Sequence, residues 1–156
     1  MMLAQIQTST NICLSDWTRP KYLMQRDSKK MNADLKNFFV GKRCLVTGGT
    51  GLIGREVVRQ LLNFGASVAS ISMDDLEIDP RAEYTRGDLT DLSFCLTQLK
   101  NVDLVFHLAG VKGSMDVTLS QPASFFVPLL MMNTNVLEAA RVNSVGRLVY
   151  TSSIGA

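Results

Sequence analysis

The sequence predicts an α/β fold: a doubly wound parallel sheet of about five strands in the order 3-2-1-4-5, with helices on both faces. Three observations predict it. From Arg43 onward, short and nearly continuous apolar runs alternate with amphipathic stretches. Strands spaced in this way pair in parallel, because each needs a crossover connection, and right-handed crossovers give that order. Finally, Gly48, Gly51 and Gly54 stand three apart between the first apolar run and the first amphipathic one.

Residues 1–31 show no sustained periodicity and contain Pro20 among polar clusters, so they read as an extension that is at least partly disordered. Trp17, Tyr22, Leu23 and Met24 are its candidates for docking on a surface. A short helix carrying Leu35, Phe38 and Phe39, capped by Asn32 or Asp34, leads into the domain at residue 41. Arg43–Thr47 is the first strand, and Leu52–Phe64 has helix spacing through Ile53, Val57, Val58, Leu61 and Leu62, with Gly65 as its stop. Val68–Ser72 and Ala82–Arg86 are the second and third strands. Thr90 or Asp91 caps a helix running to Leu99, and Asp103–Leu108 is the fourth strand. A long helix follows from Gln121 to Ser144. Pro122 suits its first turn, and Pro128 should kink or interrupt it. Arg147–Ser152 is the fifth strand.

The chain has 156 residues, enough for one domain with a core. Its formal charge of +2 gives no reason to expect nucleic acid or an anionic membrane as partner. The excess sits in residues 1–40, with six Lys/Arg against three Asp; residues 41–156 hold ten against eleven acids. Cys13, Cys44 and Cys95 are odd in number and form no CxxC, so they read as reduced thiols, neither a disulfide frame nor a metal site. No membrane span and no secretory signal is seen, and Asp16, Asp27 and Asp34 argue against a transit peptide. The expected location is the cytoplasm.

The turn Thr47-Gly48-Gly49-Thr50-Gly51-Leu52-Ile53-Gly54 carries the chemistry. Gly48 permits a tight exit from the strand. Gly51 removes a side chain where a pyrophosphate must approach the backbone, and Gly54 lets the helix pack closely on the sheet. An anion there meets unpaired N–H groups and the positive end of the helix dipole. A glycine-rich turn alone is weak evidence. Placed between an apolar strand and an amphipathic helix, it is the opening of a Rossmann dinucleotide-binding unit. No Gly-Lys-Ser/Thr follows, which excludes a P-loop.

TGGTGLIG at 47–54, GDL at 87–89, FHLAG at 106–110 and YTSS at 150–153 together resemble the extended short-chain dehydrogenase/reductase family, which includes the NAD-dependent epimerases and dehydratases of nucleotide sugars. The resemblance covers about residues 41–156. HLAGVKGS, QPASFF and TNVLEAA are most similar to GDP-L-fucose synthases and their near relatives. The resemblance implies an NAD(P) site built from Gly48, Thr50, Gly51, Leu52, Ile53 and Gly54 at the turn, and from Ser72 and Asp74 after the second strand. Asp88 would accept from the adenine amino group with Leu89 beside it; Leu108, Ala109 and Gly110 would form the wall at the end of the fourth strand. His107 resembles the family's buried strand histidine and reads as structural. Ser153 falls at the family's catalytic serine, whose hydroxyl bonds the reacting sugar oxygen; Ser152 competes for that role.

The family's Tyr-x-x-x-Lys acid/base pair is not found. Tyr22, Tyr84 and Tyr150 are followed four residues later by Arg26, Asp88 and Ile154. The chain thus reads as the cofactor portion of such an enzyme, truncated relative to the family and inactive alone. The alternatives are a non-catalytic NAD(P) sensor or scaffold module, and a degenerate fragment. The expected partners are the dinucleotide, a nucleotide sugar only where the missing half is supplied, and a second copy; an uncovered edge strand and apolar face favour self-association. The cofactor lean is to NAD. Ser72 stands where NAD enzymes place a carboxylate, but Asp74 and Asp75 follow and no Arg takes that position. Arg55 is either a phosphate contact or a solvated helix residue.

Overall fold

The computed structural model describes residues 28–111 and 115–151. Leu35–Ala156 forms one compact unit, while the described residues before it, belonging to the unit Met1–Asp34, form the first turns of α1 (Ser28–Phe39). The elements that follow are β1 (Arg43–Thr47), α2 (Leu52–Asn63), β2 (Ser67–Ser72), β3 (Glu83–Arg86) and α3 (Leu92–Gln98). After them come β4 (Leu104–His107), α4 (Met115–Ser120), α5 (Pro122–Val142) and β5 (Arg147–Tyr150). The five strands are all parallel in the order β3-β2-β1-β4-β5, the order that the sequence predicts.

The sheet is covered on both faces, which explains why β1 reads as an unbroken apolar run. Successive residues point to opposite sides. Leu45 joins Ile71, Val105, Leu99 and Val136 in the layer under α3 and α5. Cys44 and Val46 join Val58, Leu61, Val68, Leu104 and Phe39 in the layer under α2 and the end of α1. Gly65, just past the Phe64 cap, lets the chain turn from α2 into β2. This arrangement brings the carboxyl ends of all five strands to one edge, where the glycine turn lies.

Several expectations are corrected. α1 starts at Ser28, so Asn32 and Asp34 lie inside the helix and neither is its cap; Ser28–Asn32 has no apolar spacing that marks a helix. α5 runs through Pro128 without interruption. The proline removes only the bond to the carbonyl of Ser124, an exposed residue whose carbonyl is open to solvent instead. β1 has its predicted bounds, β2 and β3 each differ by one residue at the start, β4 is one residue shorter at each end, and β5 closes at Tyr150, two residues early; α4 is an element the sequence reading does not include.

Of the two candidate caps for α3, Asp91 is the one used. Its carboxylate accepts from the N–H groups of Ser93 and Phe94 at 2.8 and 3.2 Å. Asp91→Ala is therefore expected to cost about 1 kcal/mol. The measurement is a lower denaturant midpoint with an unchanged slope; an unchanged midpoint would deny the cap any role.

Candidate dinucleotide site

The β1–α2 turn is held from two sides. Gly48 has φ +69° and donates its N–H to the carbonyl of Ile71 at 2.7 Å, tying the turn to β2. A Cβ at Gly48 would stand 2.9 Å from the backbone of Ala109, so the turn and the end of β4 are in direct contact. Gly54, one turn into α2, is buried against the turn itself. A Cβ there would overlap the Gly48 carbonyl oxygen and reach 2.7 Å from the Gly49 Cα. Gly51 is the N-cap of α2 and has no side chain to satisfy the first-turn N–H groups, which are left for an incoming anion.

A cleft of about 480 Å³ opens in front of this turn. Of the residues singled out from the sequence, Gly48, Thr50, Gly51, Ser72, Asp74, Asp88, Leu89, Leu108, Ala109 and Gly110 line it. Leu52, Ile53 and Gly54 do not. Leu52 and Ile53 are exposed on the first turn of α2, at 84% and 63%. Ser152 and Ser153 lie outside the described residues, as do Cys13, Trp17, Tyr22, Leu23 and Met24.

Ser72 and Asp74 are joined through one residue. Thr50 donates its backbone N–H to Ser72 Oγ at 3.3 Å and its hydroxyl to Asp74 Oδ2 at 3.0 Å. Leu76 N–H holds the other oxygen, Asp74 Oδ1, at 3.2 Å. The carboxylate is thus fixed at the cleft wall although the strand ends two residues earlier. Behind it, Arg81 clamps the β2–β3 loop. It bonds Asp79, whose carboxyl it holds down to about 2, and reaches Asn63 at the end of α2. Asp88 Oδ1 accepts from Thr90 N–H at 2.9 Å, and its second oxygen has no partner among the described residues. Arg55 is exposed on the first turns of α2, in keeping with the solvated-helix alternative. Its guanidinium folds back on the turn, donating to the carbonyls of Thr50 and Gly51 at 3.1 and 3.3 Å.

Sequence reasoning did not select Ile71, Met73, Gly87, Thr90, Val111, Pro128 or Met132, which also line the cleft. Pro128 and Met132 stand four apart on α5, a spacing that puts them on one helix face. Nothing in the sequence says which face meets the cleft.

Next to the cleft, β1, β4 and β5 place Thr47, His107 and Tyr150 side by side in register. His107 is fully buried and bonds Thr47 and Asn133. Burial holds its imidazole below the ordinary range, so the ring is neutral at neutral pH. Burial also pushes the Cys44 and Cys95 thiols up to about 11, which leaves them unreactive at neutral pH. Among the described residues no group of three His, Cys, Asp or Glu is placed to hold a metal, and no helix is long and apolar enough to cross a membrane.

A parallel sheet with a glycine turn running into a helix, facing a cleft at the carboxyl ends of the strands, defines a Rossmann-type nucleotide-binding domain. Comparison with known proteins gives the family. Residues 44–156 match the NAD dependent epimerase/dehydratase family, and the chain belongs to it. It is 34% identical over 116 residues to the 3 beta-hydroxysteroid dehydrogenase/Delta 5→4-isomerase of Mycobacterium tuberculosis, covering 71% of this chain and 31% of that protein. With the UDP-glucose 4-epimerase of Rickettsia bellii it shares 30% identity over 134 residues, or 74% of this chain and 37% of the other. A uronate dehydrogenase variant from Agrobacterium tumefaciens, solved in complex with NAD, superposes with a TM-score of 0.62 at 26% identity, over 73% of this chain and 42% of that one. The chain spans about a third of the length of the curated relatives it matches.

Proposed function

We propose that this chain binds NAD in the cleft as the cofactor portion of a nucleotide-sugar epimerase, dehydratase or reductase. The observation that carries this is the cradle at Gly48 and Gly54. Both positions are closed to any side chain, and Gly51, the N-cap of α2 with no capping side chain, lines the cleft beside Gly48. Pyrophosphate fits such a cradle through charge and backbone hydrogen bonds. Asp88 would hold the adenine amino group, with Leu89 packed beside it, and Asp74, clamped by Thr50, would take the ribose hydroxyls that Ser72 is too short to reach. Leu108, Ala109 and Gly110 would flank the cofactor, and Ser153 would hydrogen-bond the reacting oxygen. Bound NAD supplies a hydride acceptor. The two free buried thiols support a cytosolic setting.

The family's NAD-dependent name and the NAD-bound uronate dehydrogenase support this choice of cofactor. The substrate class rests on sequence motifs and on relatives such as the UDP-glucose epimerase. The resemblance of HLAGVKGS, QPASFF and TNVLEAA to GDP-L-fucose synthases is the reason to set GDP-sugars beside UDP- and dTDP-sugars in any substrate panel.

Calorimetric titration with NAD and NADP tests the binding. NAD should bind and NADP should bind at least tenfold more weakly, because the fixed Asp74 charge repels a 2′-phosphate. In the same titration Asp88→Ala should weaken NAD about tenfold, and Asp74→Ala should narrow the difference between the two cofactors. No heat at millimolar NAD would refute the proposal.

A further inference from the structure

His107 is the one histidine of the chain, and its surroundings determine where its proton sits. Thr47 Oγ1 lies 2.7 Å from Nδ1 and accepts the N–H groups of Leu108 and Ala109, both at 3.2 Å. The Leu108 N–H is shared with the Thr47 carbonyl. Two donors occupy the lone pairs of Oγ1, so its own hydrogen is donated to Nδ1. Nδ1 is therefore unprotonated and the ring proton is on Nε2, which donates to Asn133 Oδ1 at 2.9 Å. That bond turns the Asn133 amide nitrogen toward Tyr150, whose hydroxyl accepts it at 3.0 Å. One directed chain of donors runs from the end of β1, through β4 and α5, to β5.

The near end of this chain is the cleft. Leu108 and Ala109 line it, and Ala109 touches the Gly48 turn. A proton added to Nδ1 becomes a third donor aimed at Oγ1, and the threonine hydrogen loses its acceptor. One of the N–H bonds that hold Leu108 and Ala109 must then give way. We propose that His107 is a positioning residue, held as its Nε2–H tautomer, through which proton uptake loosens the Leu108–Ala109 wall and lowers the affinity of the cleft for a dinucleotide.

Among the described residues, the groups that contact the ring are Thr47 from β1, Asn133 from α5 and Tyr150 from β5; of these Tyr150 alone is titratable, and its ring centroid lies 5.7 Å away. Among the described residues no charged side chain contributes to the titration of His107, which is governed first by burial and then by the Asn133 bond. The folded ring therefore takes up its proton at a lower pH than the unfolded one. Stability from this site is present above the ordinary imidazole value of 6.5 and is lost as pH falls toward the folded value. The affinity step belongs in that same acidic window.

The affinity step rests on the dinucleotide reading; the tautomer does not. Long-range proton–nitrogen NMR on the 156-residue chain reads the imidazole directly, since it is the one histidine present. The Nε2–H form is expected at about pH 7.5, converting to imidazolium on acidification with the Leu108 and Ala109 amide signals moving at the same midpoint. An Nδ1–H tautomer, or amides that ignore the titration, would overturn the relay. NAD affinity should fall about three- to tenfold across that midpoint, and His107→Gln should remove the step. An affinity flat with pH in the unaltered chain would overturn the coupling. If NAD fails to bind at every pH, the dinucleotide reading and the affinity step fall together, and the NMR result still decides the relay.

Discussion

Gly54→Ala is expected to abolish measurable NAD binding and to destabilise the domain by about 3 kcal/mol or more. The added methyl cannot move aside, because it would overlap the Gly48 carbonyl oxygen and approach the Gly49 Cα to 2.7 Å. These neighbours are backbone atoms of the turn itself. Gly48 cannot retreat either: its N–H is bonded to Ile71, and the backbone of Ala109 stands on its other side. The only relief is to lift α2 away from the turn. That motion opens the layer in which Val58 and Leu61 are buried and displaces Gly51, the N-cap that lines the cleft. Thermal melting and titration with NAD check the two halves together. A variant that melts like the unaltered chain and binds NAD within about twofold would show that the cradle is not closed.

Leu45→Ala should destabilise as strongly and leave the site alone. Leu45 is fully buried at the centre of β1, in the layer beneath α3 and α5, among Ile71, Leu99, Val105 and Val136. Removing its side chain forfeits burial and leaves a cavity between rigid strands, a loss of about 2–5 kcal/mol. For a domain whose whole stability is about 5–15 kcal/mol, that is a large share. Its backbone bonds to β2 and β4 are kept, so the turn two residues further on is unchanged. Urea denaturation should show the lost stability, while the folded fraction retains its NAD affinity. An affinity that falls in proportion to stability would mean that core packing and the cleft are coupled.

The two substitutions mark what the sequence could and could not convey. The sheet order was legible because β1 and β4 are buried on both faces and so read as apolar runs, and because the glycines at 48, 51 and 54 punctuate a strand and a helix. Such features depend on residues close along the chain. The clamp on Asp74 depends on Thr50, 24 positions earlier, directing its hydroxyl across the gap between a turn and a loop. No periodicity encodes that meeting. Pro128 was legible as a helix breaker, yet α5 passes through it and sets its ring at the cleft, one turn before Met132. Arg55 could be placed on α2, but its return to the Thr50 and Gly51 carbonyls is a rotamer that a linear pattern does not specify. Asn133 was hardest to see: its importance arises only when α5 crosses over the row formed by Thr47, His107 and Tyr150.

The buried cysteines have a use beyond inertness. Cys44 faces the layer shared by β1 and α2, whereas Cys95 lies on α3 in the opposite layer. Each thiol meets solvent only when its own side of the sheet opens, so alkylation followed residue by residue clocks the breathing of the two halves separately. A dinucleotide that braces the glycine turn would slow the clock on the α2 side first, and the sheet would become its own record of where binding energy is felt.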